Sequence, residues 1–265
     1  MAKEDCGICR GTGWKMVGRK DGLPGQVAAP CECGMEERAE KVMERARIPK
    51  RYEHCDFESY STDLTDGKTW TAQHEKSLKH AKFETEGFVR EFPATEKGLL
   101  LIGPSGVGKT HLAVAALKEL IKRGHEGLFC DYRELLKEIQ ASYNPASEST
   151  EMAVLEPIRT AELLVLDDLG ASKPSAWVLD IIGLVLNARY NERRMTLLTT
   201  NYLDETGSSE GAQLPGGRRV VVKEDTLADR IGARMRSRLY EMCRAVDVQS
   251  PDFRREARQA GRARA

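Results

Sequence analysis

The chain has 265 residues, enough for one full domain with a small appendage and a buried core of its own. Its 41 basic and 41 acidic residues cancel, so no global field draws it to nucleic acid or to an anionic membrane, and any such affinity must come from a local patch. No apolar run reaches membrane-span length and Met1 to Cys6 carry no signal-peptide core, which predicts a cytoplasmic protein with no membrane partner, its seven cysteines being reduced thiols or metal ligands.

Cys6 and Cys9 form a C-x₂-C knuckle, and Cys31 and Cys33 follow as C-x-C. The turn inside a knuckle brings two sulfurs to one side, and Gly11 and Gly13 suit the tight turn after it. The four thiolates predict a closed tetrahedral Zn²⁺ site. The stretch between them is rich in glycine and proline and cannot build a core alone, a deficit that a metal offsets. His54 and the neighbouring Cys55 offer a substitute ligand or a local packing role. From Met35 to Arg47, charges of alternating sign around Ala39, Val42, Met43 and Ala46 predict a solvated linker helix that ends at Ile48-Pro49.

Tyr52, Arg51, Phe57 and Tyr60 make a mixed aromatic and basic entry segment. Tyr52 or Arg51 can stack on a base, or pack on a sheet edge. Residues 67 to 92 read as an amphipathic helix through Trp70, Leu78, Ala81, Phe83 and Phe88.

The apolar run Leu99 to Ile102 reads as a buried strand. It leads into Gly103, Pro104, Ser105, Gly106, Val107, Gly108, Lys109 and Thr110, which fit G-x-x-x-x-G-K-[ST] at every fixed position. Glycines let successive backbone N–H groups point inward at phosphates, and a helix starting at Lys109 aims its positive end at the same charge. Lys109 reaches the terminal phosphates and the Thr110 hydroxyl can ligate Mg²⁺, so the pattern predicts a bound nucleoside triphosphate.

Downstream, residues 127 to 131 read as a second strand and Tyr132 to about Ser142 as a helix, followed by a polar break. Leu163 to Leu166 then end in Asp167-Asp168: a buried strand delivers a carboxylate to the metal at its edge. Asp167 is the metal-side acid, and Asp168 is placed to orient or deprotonate the attacking water. A helix from about Pro174 to Tyr190 precedes a strand ending Thr199-Thr200-Asn201, which sets Asn201 between the other two strands, towards the γ-phosphate or the water. Residues 204 to 218 read as a flexible loop. Alternating strands and helices argue a parallel sheet with right-handed crossovers.

Arg230, Arg234 and Arg238 lie four apart and predict a stripe on one helix face. Such a stripe repels itself unless anions are near. A neighbouring subunit's ATP would serve, and a solvated face or a nucleic-acid patch are the other readings. Residues 244 to 249 can close the sheet. The arginine-rich tail reads as disordered, either solubilising or in touch with DNA or RNA.

Four elements together (the phosphate loop, Leu-Val-Leu-Asp-Asp-Leu-Gly, Thr-Thr-Asn and Arg-Ser-Arg-Leu-Tyr-Glu-Met-Cys) resemble the AAA+ replicative helicase loaders of the DnaC/DnaI type and their relatives, the IstB-type transposition ATPases. The resemblance covers about residues 48 to 255. It implies an α/β P-loop AAA+ (ASCE) core with helices on both faces of a parallel sheet and no full C-terminal lid. The expected division is a zinc-binding N-terminal domain and linker helix at 1–47, an ATPase domain at 48–252 and a basic tail at 253–265. The cysteine appendage resembles the zinc-binding module by which some loaders engage the helicase. Carried onto this chain, the family's roles put phosphate on Lys109, Mg²⁺ on Thr110 and Asp167, water on Asp168 and sensor 1 on Asn201. The arginine finger falls on Arg238 from its Ser-Arg-Leu context, or on Arg234. Tyr132 to Thr160 falls where this clade carries an extra helical element facing single-stranded DNA. The implied function is an ATP-hydrolysing, self-associating loader that delivers a hexameric replicative helicase onto single-stranded DNA. The alternative is a transposition ATPase that binds DNA and recruits a transposase.

Overall fold

The computed structural model describes residues 4–18, 25–62, 70–147, 149–204, 212–213, 219–220 and 225–254. The start of the helix expected from residue 67, most of the loop expected at 204–218 and the tail from 255 onward lie outside the described residues.

The chain opens with an antiparallel hairpin of β1 (Trp14–Gly18) and β2 (Gln26–Pro30), then α1 (Glu32–Arg45), a short 3-10 turn at Lys50–Tyr52 and α2 (Ala72–Glu91). The core follows as β3 (Gly98–Ile102), α3 (Lys109–Lys122), β4 (Gly127–Asp131), α4 (Tyr132–Ser142), α5 (Glu151–Thr160), β5 (Leu163–Asp167), α6 (Ala176–Asn191) and β6 (Met195–Thr200). A two-residue pair, β7 (Ala212–Gln213) with β8 (Arg219–Val220), precedes α7 (Leu227–Ile231), α8 (Ala233–Met242) and β9 (Cys243–Asp247). The five core strands lie in the order β4-β5-β6-β3-β9, and every pairing is parallel.

The strands read as continuous apolar runs because both faces are covered. Successive side chains alternate between faces. Leu99 and Leu101 of β3 join Phe129, Val165 and Leu197 against α2 and α3. Leu100 and Ile102 join Leu128, Leu164, Leu166 and Leu198 against the layer built by α4 to α8. No described helix is long and apolar enough to cross a membrane.

Two expectations are corrected here. The helix read as a solvated linker starts earlier, at Glu32, and is not solvated along its length. Its stripe of Ala39, Val42 and Met43 packs half-buried on the α3 side of the core, and Ala46 beyond its last turn is fully buried. The Ala46 carbonyl also accepts from the Phe129 N–H at 2.7 Å, which occupies part of the otherwise open edge of β4. The single arginine stripe is broken as well. Gly232, at φ 84°, stops α7 one residue after Ile231, so Arg230 belongs to a different helix from Arg234 and Arg238. Alternating charge and four-residue spacing say which residues share a face of one helix. They do not say what covers that face, nor where a glycine turns the chain.

One buried cation ties the second layer together. Arg189 of α6 has no exposed surface. Its guanidinium donates to the carbonyls of Ile158 and Ala161 at 2.9 Å each, at the C-terminal end of α5, to the Met195 carbonyl, and to Thr196 Oγ1 at 2.9 Å. The fork thus satisfies helix-end carbonyls that otherwise lack partners, and its charge suits the negative end of α5. Replacing it leaves those acceptors buried and unpaired. Arg189→Met is expected to lower the unfolding free energy by about 3 kcal/mol in urea titration, with the α5 end loosened first in amide exchange.

Candidate functional site

The carboxyl ends of β3, β4, β5 and β6 converge on one edge of the sheet, where a parallel sheet places its ligands. The phosphate loop leaves β3 at Gly103, where a Cβ would lie 2.0 Å from the Val248 carbonyl oxygen, so only glycine lets the chain past β9's exit. Gly106 and Gly108 hold φ values of 85° and 92°, which turn backbone N–H groups inward as the loop enters α3. The Tyr60 ring closes over Gly108, 2.6 Å from where a Cβ would sit, and its hydroxyl donates to the Val107 carbonyl at 3.3 Å.

Lys109 is only 5 % exposed. Its amine donates to the carbonyls of Gly103 and Pro104 at 2.8 Å each and to Asn201 Oδ1 at 2.7 Å. Burial pushes its pKa down to about 8, while the carboxylates of Asp168 and Asp167 act in the opposite sense. Asn201 donates in turn from Nδ2 to Asp168 Oδ1 at 3.2 Å, so one amide bridges the loop lysine and Asp168. Asp168 itself sits at φ 56°, a left-handed conformation tolerated by a short polar side chain. Thr199 holds it there, accepting from the Asp168 N–H at 2.9 Å.

Asp167 is 2 % exposed. One of its oxygens accepts from both Thr110 Oγ1, at 2.8 Å, and Thr199 Oγ1, at 2.6 Å. Burial raises its pKa to about 6, against the lowering effect of the Thr199 hydrogen bond. Thr110 and Asp167 are thus side by side, as a cation bridging them requires.

The phosphate loop, Asp167, Asp168 and Asn201 come together as expected, Arg234 and Arg238 are not among the residues lining the cavity, and five residues that the sequence reading left without a role at this site join the group. Thr199 holds both acids. Asp131, at the end of β4, places a carboxylate oxygen within 4.8 Å of those of Asp167 and Asp168, while its side chain also caps α4 by accepting from the Arg133 and Glu134 N–H groups. Its signal was present, since β4 is a second apolar run ending in aspartate. Tyr60, His111 and Arg254 also line the cavity. Phe253 N–H bonds to the Gly106 carbonyl at 3.1 Å and brings Arg254 to the mouth. The cavity encloses about 520 Å³, within the range of small-molecule sites. Arg51 and Tyr52 line it, and Tyr52 packs on Phe129 of β4 with ring centroids 6.0 Å apart, as the sheet-packing reading of that aromatic expects.

The hairpin forms a second cluster. Cys31 N–H bonds to the Gly13 carbonyl at 2.8 Å, which folds the knuckle back on the start of α1. The sulfurs of Cys6 and Cys31 lie 3.7 Å apart and those of Cys9 and Cys33 lie 3.3 Å apart, with all four within 4.8 Å of one another. A tetrahedral Zn–S₄ centre has sulfur–sulfur edges of about 3.8 Å, so the set fits the ion. Backbone N–H groups of Cys9 and Ile8 pull the Cys6 thiol down to about 6. Among the described residues nothing but these cysteines forms a buried cluster here, while Ile8, Trp14, Met16 and Val27 stand exposed.

The arginines diverge. Arg230 stacks on the Tyr202 ring at 4.4 Å and pairs with Asp225 at 3.3 Å. Arg238 donates to Asn187 Oδ1 and lies over the Tyr190 ring at 5.4 Å. Arg236 forms a two-pronged pair with Asp204. Arg234 is exposed, with no hydrogen bond, ion pair or ring contact among the described residues.

Residues 36–213 match the family profile of the IstB-like ATP-binding proteins. The chain belongs to this family. Similar proteins include the replicative helicase loader DnaC of Buchnera aphidicola (Schizaphis graminum), 29 % identical over 63 % of either chain. The loader DnaI of Bacillus subtilis is 30 % identical over 51 % of this chain and 43 % of its own. The matches thus span about 63 % and 43 % of those relatives' lengths. Among solved structures, a DnaC helicase loader aligns over 76 % of this chain and all of its own, with a TM-score of 0.58 and 29 % identity. A DnaI structure aligns over 78 % and 94 %, with a TM-score of 0.54 and 26 % identity. The replication initiator DnaA bound to AMPPCP and single-stranded DNA shares the fold alone, at 15 % identity and a TM-score of 0.53 over 77 % of this chain and 51 % of that one. The parallel sheet, its strand order and the phosphate loop make the core of this IstB-like protein an AAA+ P-loop fold.

Asp167 is more basic when folded, so folding takes up a proton there. That stabilisation is complete below its ordinary value of 3.8 and is lost as pH rises through about 6. An asparagine keeps the acceptor and removes the buried charge. Asp167→Asn is therefore expected to raise the nucleotide-free unfolding free energy at pH 8 by roughly 2 kcal/mol, and to leave it little changed at pH 4. Chemical denaturation at the two pH values checks both.

Proposed function

We propose that this IstB-like protein is an ATP-switched loader that places a ring-shaped replicative DNA helicase on single-stranded DNA. The observation that carries the reading is the likeness to loaders named DnaC and DnaI in sequence and fold, together with a phosphate-loop site whose residues are all in register. In this reading Gly103 to Thr110 cradle the triphosphate, and Lys109 exchanges its loop carbonyls for phosphate oxygens. Thr110 and Asp167 hold Mg²⁺, which would supply charge neutralisation across the phosphates. Asp168, fixed by Thr199 and Asn201, orients the attacking water, and Arg254 adds a cation at the cavity mouth. Cys6, Cys9, Cys31 and Cys33 hold Zn²⁺, and the exposed Trp14 and Met16 face of the hairpin meets the helicase. The division into a hairpin unit, an ATPase unit and a basic tail stands as part of this proposal.

The test is transfer of helicase. The chain is mixed with the replicative helicase of its own source, ATP and a protein-coated single-stranded DNA circle, and helicase on the circle is counted. Loading at least tenfold over the chain-free control is expected, and it is lost with Lys109→Ala. No complex with the helicase, but ATP-dependent binding of duplex DNA with capture of a transposase, would establish the transposition alternative instead.

In this reading a second copy completes the site, since Arg51 and Arg254 line the cavity but no arginine of α7 or α8 does. Arg234, exposed and unpaired among the described residues, is the finger offered to a neighbour's ATP in preference to Arg238, whose guanidinium is held within its own chain. ATP turnover per chain is expected to rise steeply with protein concentration. Arg234→Ala should flatten that rise and cut turnover at least 100-fold with nucleotide affinity kept, whereas Arg238→Ala should change it less than threefold. Turnover per chain that does not depend on concentration would overturn self-association through this site.

A further inference from the structure

The wall of the nucleotide cavity carries another group of metal-ligating side chains, separate from the hairpin cysteines and from the three carboxylates. His54, Cys55 and His111 each offer one donor atom, and no two of these atoms are more than 4.8 Å apart. Two come from the loop after the 3-10 turn. The third comes from the first turn of α3, directly after Thr110. We propose that His54, Cys55 and His111 form a binding site for a borderline-soft divalent cation of the zinc class, distinct from the Cys₄ site.

Zinc bonds of 2.0–2.3 Å set neighbouring donors about 3.3–3.8 Å apart at tetrahedral angles. Cys55 Sγ already lies 3.9 Å from His54 Nε2. His54 is exposed, while Cys55 is 2 % exposed and His111 half-buried, so the buried part of the site is the Cys55 and His111 pair. The His111 ring is held from outside, with Nε2 2.8 Å from the Asp56 carbonyl oxygen and 3.3 Å from Ser59 Oγ, the kind of outer partner that orients a ligating imidazole. The His111 ring stands edge-on to Tyr60 and to His54, with centroids 5.4 and 6.1 Å apart, and Cys55 is part of the core beneath them, so the three donors are already gathered before an ion binds.

The donor set of two nitrogens and one sulfur selects zinc, cobalt or copper over Mg²⁺, whose preferred ligands are oxygens. Binding breaks the Cys55 S–H bond, forms the metal–sulfur bond and releases one proton to solvent. Three protein ligands leave a fourth position for water, open to the cavity. An ion here ties the loop carrying Tyr60, which covers Gly108, to the first turn of α3. It therefore acts on the phosphate loop without touching its fixed residues.

The experiment counts metal on the full chain equilibrated in zinc-buffered solution. Two zinc per chain are expected for the unaltered protein, one for Cys55→Ser and for His111→Gln, and one for the Cys6→Ser/Cys9→Ser double variant. Loading with cobalt instead identifies the centres. The band lost in Cys55→Ser should be that of a single-thiolate tetrahedral ion, and the band lost in the double variant that of a four-thiolate one. Circular dichroism on each variant separates ligand loss from unfolding. Equal zinc content in Cys55→Ser and the unaltered chain overturns the site, whatever the hairpin variant shows. The count does not depend on the loader reading, which fails or stands on helicase transfer alone.

Discussion

A lysine and an aspartate are both taken out of water at one edge of the sheet, and the strand order around them is what makes this possible. Each charge, buried without partners, would cost several kcal/mol. Lys109 finds two loop carbonyls and Asn201. Asp167 finds the hydroxyls of Thr110 and Thr199. Two of these partners, Thr199 and Asn201, come from the end of β6 and the residue after it, and β6 lies between the strand that starts the phosphate loop and the strand that carries the acids. With β3 and β5 adjacent, no side chain would bridge them. Burial makes the lysine less basic and the aspartate more so. A phosphate on the one and a cation on the other would relieve both, and the shared contacts to Thr199 and Asn201 would tie that relief to the end of β6.

The hairpin is joined to the core by a helix. Its clustered cysteines run directly into α1, with Cys31 at the helix N-terminus and Cys33 in the first turn. The other end of α1 is buried at Ala46 and hydrogen-bonded to the edge strand. The Ala39, Val42 and Met43 stripe packs this module on the side of the core built by α3, the helix whose first turn carries Lys109, Thr110 and His111.

Much of the site could be read from the sequence because its chemistry demands fixed spacing. Gly103 to Thr110, Asp167 and the strand before each are dictated locally, by backbone conformations only glycine adopts and by runs apolar on both faces. Asn201 was legible because a third strand end had to lie beside them. Thr199 was on the page but without a role, since nothing in a strand's pattern says that one hydroxyl serves two neighbouring aspartates. Asp131 repeats the apolar-run-to-aspartate pattern, and its helix-capping role masks it. His111 and Cys55 meet only through the return of the entry loop across α3, a contact between residues 56 positions apart. The arginine stripe failed for a local reason: Gly232 takes a left-handed turn that a four-residue count ignores.

That failure changes what the arginines can do. Three cations on one continuous helix face would repel one another. Split by Gly232, two of them instead acquire partners in their own chain, Asp225 and Tyr202 for Arg230 and Asn187 with Tyr190 for Arg238, and Arg236 on the other side of α8 pairs with Asp204. A guanidinium already paired must give up those contacts before it can reach a phosphate on another subunit. An exposed, unpaired one loses only hydration and rotamer freedom. Arg230 is constrained further, because its Cβ lies 3.0 Å from where a Cβ on Gly170 would stand, two residues past Asp168, and its ring partner Tyr202 follows Asn201 directly. It is therefore packed behind the nucleotide cavity within its own chain, while Arg234 stands exposed one helix later. The turn at Gly232 is what lets a single short segment face both ways.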